Sequence, residues 1–124
     1  MGFLDKLLGR GDDDVATPTE FSPEAVRPAV SELIGALSAL ADAMDVEDAP
    51  LSNPGWRGRI RDLRNASGSL RVMARNPAFT RDDLFEVLTT VRPIYRGAPP
   101  KDFAHLAELN ERVIAAIDGL YAAI

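Results

Sequence analysis

Apolar residues recur every three or four positions along most of the chain, which predicts amphipathic helices. The first predicted helix covers residues 22–46. Its apolar stripe consists of Val26, Val30, Leu33, Leu37, Leu40 and Met44. Ser22 is a suitable N-cap, with Pro23 at the first helical position. Pro28 is expected either to delay the regular helix or to bend its first turn.

The second predicted helix, residues 56–75, carries two stripes side by side. The mostly apolar stripe consists of Trp56, Ile60, Leu63, Ser67, Leu70 and Ala74. The basic stripe lies about 100° further round the helix and is called the arginine row. It consists of Arg57, Arg61, Arg64, Arg71 and Arg75. Gly68 weakens the helix by about 1 kcal/mol relative to alanine, but small residues also allow a neighbouring helix to approach, so we expect no break.

Two more helices are predicted in the second half of the chain. Residues 81–95 follow a capping-box pattern at Thr80, and Pro93 makes the last turn irregular. Residues 102–124 form the last helix. Its stripe consists of Phe103, Leu106, Val113, Ile117, Leu120 and Ile124. Either Asn110 is buried on this stripe, where an amide fixes register, or a small rotation brings Leu109 inside.

No segment has the alternating pattern of a strand, and the helices are joined by short connections. The sequence therefore predicts an all-α domain over residues 22–124, a four-helix bundle in up-down-up-down order.

Residues 1–9 form a separate amphipathic segment. Its apolar side chains are Phe3, Leu4, Leu7 and Leu8, and Asp5 and Lys6 lie on the other side. A helix this short needs a surface to fold on, which a membrane, a partner protein or its own bundle could supply. The alternative is a frayed terminus. The segment resembles short amphipathic N-termini of bacterial proteins. Residues 10–21, rich in aspartate and interrupted by glycine and proline, are interpreted as an acidic flexible linker.

Composition narrows the class of protein. A hydrophobic fraction of 46% and a charged fraction of 27% are ordinary for a globular domain. The absence of cysteine excludes disulfides and thiolate chemistry. No apolar run approaches the ~20 residues that a spanning helix needs, and no signal peptide is evident. We therefore expect a cytoplasmic protein, which could be peripheral to the inner face of the membrane.

Charge is distributed unevenly along the chain. Residues 1–50 contain 3 basic and 11 acidic side chains, whereas residues 51–100 contain 9 basic and 4 acidic ones. Because opposite charges attract, much of the arginine could be neutralised inside the molecule. Candidate partners for the arginine row are the acidic linker and, on other helices, Glu32, Asp42, Glu108, Glu111 and Asp118. Alternatively, the row binds phosphates or an acidic protein.

Residues suited to catalysis or metal binding are scarce. His105 is the only histidine, and consecutive aspartates at residues 12–14 do not match a calcium-binding loop. We therefore expect no enzyme activity, no metal and no cofactor.

The leading hypothesis is a non-enzymatic adaptor. Its N-terminal segment would dock on an anionic membrane surface or a protein partner through Phe3, Leu4, Lys6, Leu7 and Leu8, with the arginine row as a second contact. The alternative is a soluble protein-binding helical module that forms homo-oligomers, such as a homodimer. A nucleic-acid-binding regulator that uses the arginine row is the third hypothesis. It is disfavoured because the chain is acidic overall and lacks stacking aromatics.

Overall fold

The computed structural model describes residues 21–46 and 55–124, which form four α-helices and one 3₁₀ helix. In chain order these are α1 (Pro23–Met44), α2 (Trp56–Ala74), α3 (Arg81–Leu88), the 3₁₀ helix (Lys101–Leu106) and α4 (Ala107–Ala123). The described residues contain no strand. The predicted all-α four-helix bundle is confirmed, and the up-down-up-down order over the whole bundle stays a prediction.

Helix α1 lies between α2 and α4 and supplies the centre of the core. All six residues of its predicted apolar stripe are buried. Ser22 caps the helix by accepting a hydrogen bond from the backbone N–H of Ala25 at 3.4 Å. Pro28 lies inside the helix and does not delay its start at Pro23.

Helices α1 and α2 run antiparallel, as their paired contacts show. Arg27 near the start of α1 reaches the carbonyl of Ala74 at the end of α2, with a donor–acceptor distance of 2.7 Å. At the other end, the indole of Trp56 donates to the carbonyl of Met44 at 2.9 Å. Because Trp56 is also stacked on Phe103 with ring centroids 5.1 Å apart, it joins α1, α2 and the 3₁₀ helix.

The predicted helix over residues 56–75 is confirmed as one uninterrupted helix through Gly68. Its buried side differs from the predicted stripe, because Ala66 and Met73 are buried whereas Ile60 and Ala74 are only partly so. The core contact is therefore rotated away from the arginine row.

The prediction that the third helix extends to residue 95 is wrong, because α3 ends at Leu88. The hydroxyls of Thr89 and Thr90 donate back to the carbonyls of Glu86 and Val87, at 2.6 and 2.7 Å. These local hydrogen bonds give two carbonyls of the last turn a donor. The chain then continues without helix to residue 100.

The last helix begins differently from the prediction, with a 3₁₀ helix over Lys101–Leu106 before α4. Asn110 is fully buried and Leu109 is half-buried, which decides between the two alternatives. The amide of Asn110 accepts from the N–H of Ile94 at 2.8 Å and donates to the carbonyl of Tyr95 at 2.9 Å. A polar residue on the apolar stripe therefore fixes the non-helical connection after α3.

Candidate functional site

The arginine row of α2 divides into two groups. Arg64 and Arg71 lie on the side of α2 that faces α1. Arg64 pairs with Asp42 at 3.3 Å and with Asp45 at 3.0 Å. Arg71 donates to the hydroxyl of Ser38 at 3.2 Å. Of the acidic partners proposed from the sequence, Asp42 is confirmed for Arg64. These two arginines therefore join α2 to α1.

The remaining three members of the row, Arg57, Arg61 and Arg75, are exposed. Within residues 21–46 and 55–124, none of their side chains forms an ion pair or a hydrogen bond. Helical geometry places them within an arc of about 40° and spreads them over about 27 Å of the helix axis. They therefore present an elongated cationic face, which we call the free arginine face.

The other acids proposed for the row are used elsewhere or stay apart from it. Glu32 pairs with Arg112 of α4 through two hydrogen bonds, at 2.8 and 3.1 Å. The Arg112 guanidinium lowers the pKa of the Glu32 carboxyl below its ordinary value, chiefly through these hydrogen bonds. Asp118 pairs with Arg96 at 3.4 Å. These pairs join α4 to α1 and to the connection after α3.

Two arginines outside the row have structural roles that the sequence reading missed. Arg59 donates to the carbonyl of Ile94 at 3.2 Å, and its guanidinium lies 5.2 Å from the centroid of the Phe103 ring. The guanidinium of Arg27 likewise lies 5.2 Å from the centroid of the Phe79 ring. The role of Arg59 could have been predicted from a helical wheel, because Arg59 falls on the core side of α2.

An open groove of about 960 Å³ lies between α2 and α3. Its apolar lining consists of Val72, Met73, Phe79 and Val87. Asp83 and Glu86 line it from the α3 side, and Arg64 lines it from the α2 side. Gly68 also lines the groove, and a Cβ built at this position would meet nothing within 4 Å. The groove therefore combines an apolar centre with charged margins.

A second apolar feature is an exposed aromatic pair on α3 and α4. Phe85 is 52% exposed and Tyr121 is 40% exposed. Their rings meet edge to face with centroids 6.0 Å apart. Exposed aromatic residues of this kind are enriched in protein–protein contacts.

The one histidine of the chain lies among the described residues. His105 is exposed and lies nearly parallel to the indole of Trp56, with centroids 6.3 Å apart. In the part of the chain that the structure describes, no three histidine, cysteine or acidic residues form a group that suits a metal ion.

The other candidate site consists of Phe3, Leu4, Lys6, Leu7 and Leu8. These residues lie outside the described part of the chain, so their role as a docking segment stays a prediction. The first described residue, Phe21, contacts Phe79 edge to face at 5.8 Å.

No protein-family model, no curated protein and no solved structure matches this chain. No helix among the described residues combines the length and apolar content needed to cross a bilayer.

Proposed function

We propose that this protein is a non-enzymatic adaptor that attaches to an anionic membrane surface on the cytoplasmic side. Two elements make the contact: the free arginine face of α2 and the amphipathic segment of residues 1–9. The observation that carries the proposal is that Arg57, Arg61 and Arg75 are exposed on one side of a rigid helix without an acidic partner in the described residues. Guanidinium groups bind lipid phosphates well.

The expected binding free energies explain why the free arginine face and the N-terminal segment are both needed. Each basic residue near an anionic bilayer contributes about 1 kcal/mol, so three arginines supply about 3 kcal/mol. That corresponds to a weak, roughly hundredfold preference for the surface. A single short amphipathic segment also anchors weakly. Because both belong to one chain, the first contact raises the effective concentration of the second.

Vesicle co-sedimentation of the full chain tests the proposal. We expect binding to phosphatidylcholine vesicles that contain phosphatidylserine, and much weaker binding to phosphatidylcholine alone. Added salt should weaken the binding because it screens the exposed charges. A protein that binds no vesicle under any of these conditions contradicts the proposal, and salt-sensitive binding to duplex DNA instead would favour the nucleic-acid hypothesis.

A matched pair of double variants identifies the surface. Arg57→Gln with Arg61→Gln removes two charges from the free arginine face and should weaken vesicle binding about 30-fold. Arg71→Gln with Arg96→Gln removes the same charge at positions that are paired within the bundle, with Ser38 of α1 and Asp118 of α4. This control should change binding less than about threefold. Equal losses in the two variants would mean that net charge alone, and no particular face, drives attachment.

The exposed pair of Phe85 and Tyr121 favours a second candidate function, a homo-oligomeric protein-binding module. Light scattering distinguishes it from the first. A dimer that dissociates on Phe85→Glu supports this candidate, and a mass that stays monomeric at all concentrations argues against it.

A further inference from the structure

The described chain begins at the edge of the α2–α3 groove. Phe21 contacts Phe79, and Phe79 itself lines the groove. The residues that precede Phe21 are therefore attached next to this groove. This position raises the effective concentration of the N-terminal segment at the groove.

Chain length permits the segment to reach every part of the groove. Residues 9–20 span up to about 40 Å when extended. The groove runs along α2 from Asn76 to Arg64, a distance of about 18 Å at the helical rise. A connection of this length imposes no strain on a segment that lies anywhere between those two residues.

We infer that residues 3–8 dock in the α2–α3 groove of their own chain. On a helix, Phe3, Leu4, Leu7 and Leu8 share one side, and that side matches the apolar centre of the groove. The docking covers the apolar side chains that are costly to leave in water.

Charge complementarity supports the same placement. Helical geometry puts Lys6 on one flank of the apolar side and Asp5 on the opposite flank. The groove offers Asp83 and Glu86 on its α3 side, whereas Arg64 on its α2 side is already paired with Asp42 and Asp45. One orientation of the segment therefore brings Lys6 towards the two acids of α3.

The docked segment and the membrane compete for the same apolar side chains. Residues 3–8 cannot occupy the groove and a bilayer at once, so docking in the groove should lower the affinity for vesicles. The docking itself goes beyond the proposed membrane function and does not depend on it.

Paramagnetic relaxation in the full chain tests the docking. The native chain has no cysteine, so a nitroxide can be placed at one site only. Asn65→Cys puts the label on the exposed rim of the groove, and Ala115→Cys puts it on the exposed surface of α4. We expect the label at residue 65 to broaden the amide signals of residues 3–8 severely, and the label at residue 115 to leave them sharp. Equal broadening from the two sites, or none from either, overturns the inference.

A groove-filling variant adds a second criterion. Gly68→Leu places a side chain in the open space of the groove, where a Cβ meets no neighbouring atom within 4 Å. Leucine also favours the helix, so the variant should fold. Gly119→Leu is the matched control, because a Cβ there also meets nothing within 4 Å and Gly119 lies on α4. Broadening of residues 3–8 should disappear in Gly68→Leu and persist in Gly119→Leu. Broadening that survives Gly68→Leu contradicts the inference.

Two further measurements separate the alternatives. Broadening that occurs only when labelled and isotope-enriched molecules are mixed would place the segment on a second copy, which overturns docking within one chain. In vesicle binding, Gly68→Leu should raise affinity severalfold because it frees the segment. Relaxation data that support docking, combined with no vesicle binding, would refute the membrane function alone. Vesicle binding without groove-dependent broadening would refute the docking alone.

Discussion

The side of α2 that faces α1 and the side that faces α3 differ in how closely they are packed. Towards α1, the helix buries Leu70 completely, and its arginines are tied to α1 by Asp42, Asp45 and Ser38. Towards α3 the packing is sparse, and an open groove separates the two helices. The same helix therefore has one closely packed side and one side that is left open.

A small change in angular position around α2 separates an arginine that bonds to α1 from one that is exposed without a partner in the described residues. Arg64 and Arg71 lie only about 20–40° closer to α1 than Arg57 and Arg75 do. That rotation decides whether a guanidinium reaches a partner on the neighbouring helix. A charged stripe on a helix can thus serve stability and binding together, with the division set by where the next helix lies.

The largest expected change in stability separates the truncation of a buried aliphatic residue of α2 from that of an exposed one. Leu70→Ala should lower the free energy of unfolding by about 2–5 kcal/mol, because Leu70 is fully buried. Val72, two residues further on, is 62% exposed in the groove. Val72→Ala should change stability by less than about 0.5 kcal/mol. Urea denaturation measures both, and similar losses would mean that the two sides are equally packed.

The connection after α3 should depend on single hydrogen bonds, whereas the contact of α2 with α1 depends on packing. Asn110→Ala leaves the N–H of Ile94 buried without its acceptor, which costs about 1–3 kcal/mol. Amide exchange should accelerate in α3 and in residues 89–100 before it does in α1. Asn65→Ala, at an exposed position on α2, serves as the control and should leave both quantities nearly unchanged. Uniform acceleration across the bundle would contradict this division.

A pair of glycine-to-alanine substitutions compares the free space beside Gly68 of α2 with the free space beside Gly35 of α1. Gly68→Ala should stabilise the protein by about 0.5–1 kcal/mol, because it raises helix propensity and a Cβ meets nothing within 4 Å. Gly35→Ala on α1 should gain less, since its Cβ would lie 3.4 Å from Nη2 of Arg112. Thermal unfolding measures the two shifts, and a larger gain at Gly35 would reverse the interpretation.

The smallest effect concerns the exposed pair that joins α1 to α4. Since Arg112 lowers the pKa of Glu32, the pair stabilises the fold above the ordinary pKa of Glu32. That contribution is lost as the pH falls through the lowered pKa in the folded protein. The stability difference between the native chain and Glu32→Gln should therefore be full at neutral pH and shrink in acid. A difference that grows in acid would contradict the sign.

Periodicity predicted much of this fold, for identifiable reasons. The apolar stripe of α1 is buried in full because α1 has helices on two sides, so every stripe residue finds a neighbour. The end of α3 could not be predicted in the same way. Val91 is buried and continues the apolar spacing. However, two threonine hydroxyls bond back to the last turn just before it, and the amide of Asn110 holds the chain after it, at Ile94.

The division of the arginine row could not be predicted from α2 alone. A helical wheel places all five arginines together, and their fate depends on the angle at which α1 packs. The sequence did supply Asp42 as a candidate partner, and this pairing is confirmed for Arg64. The groove has no signal in the sequence, because it arises from the separation between α2 and a shortened α3.

Trp56 gives this protein a built-in optical reporter. It is the only tryptophan in the chain, and it is 1% exposed. Its indole joins three stretches that are far apart in sequence, through the carbonyl of Met44 and the ring of Phe103. Its fluorescence emission should therefore stay blue-shifted while the opposite end of the α1–α2 pair, at Arg27 and Ala74, frays, and move to the red when the end at Met44 and Phe103 opens.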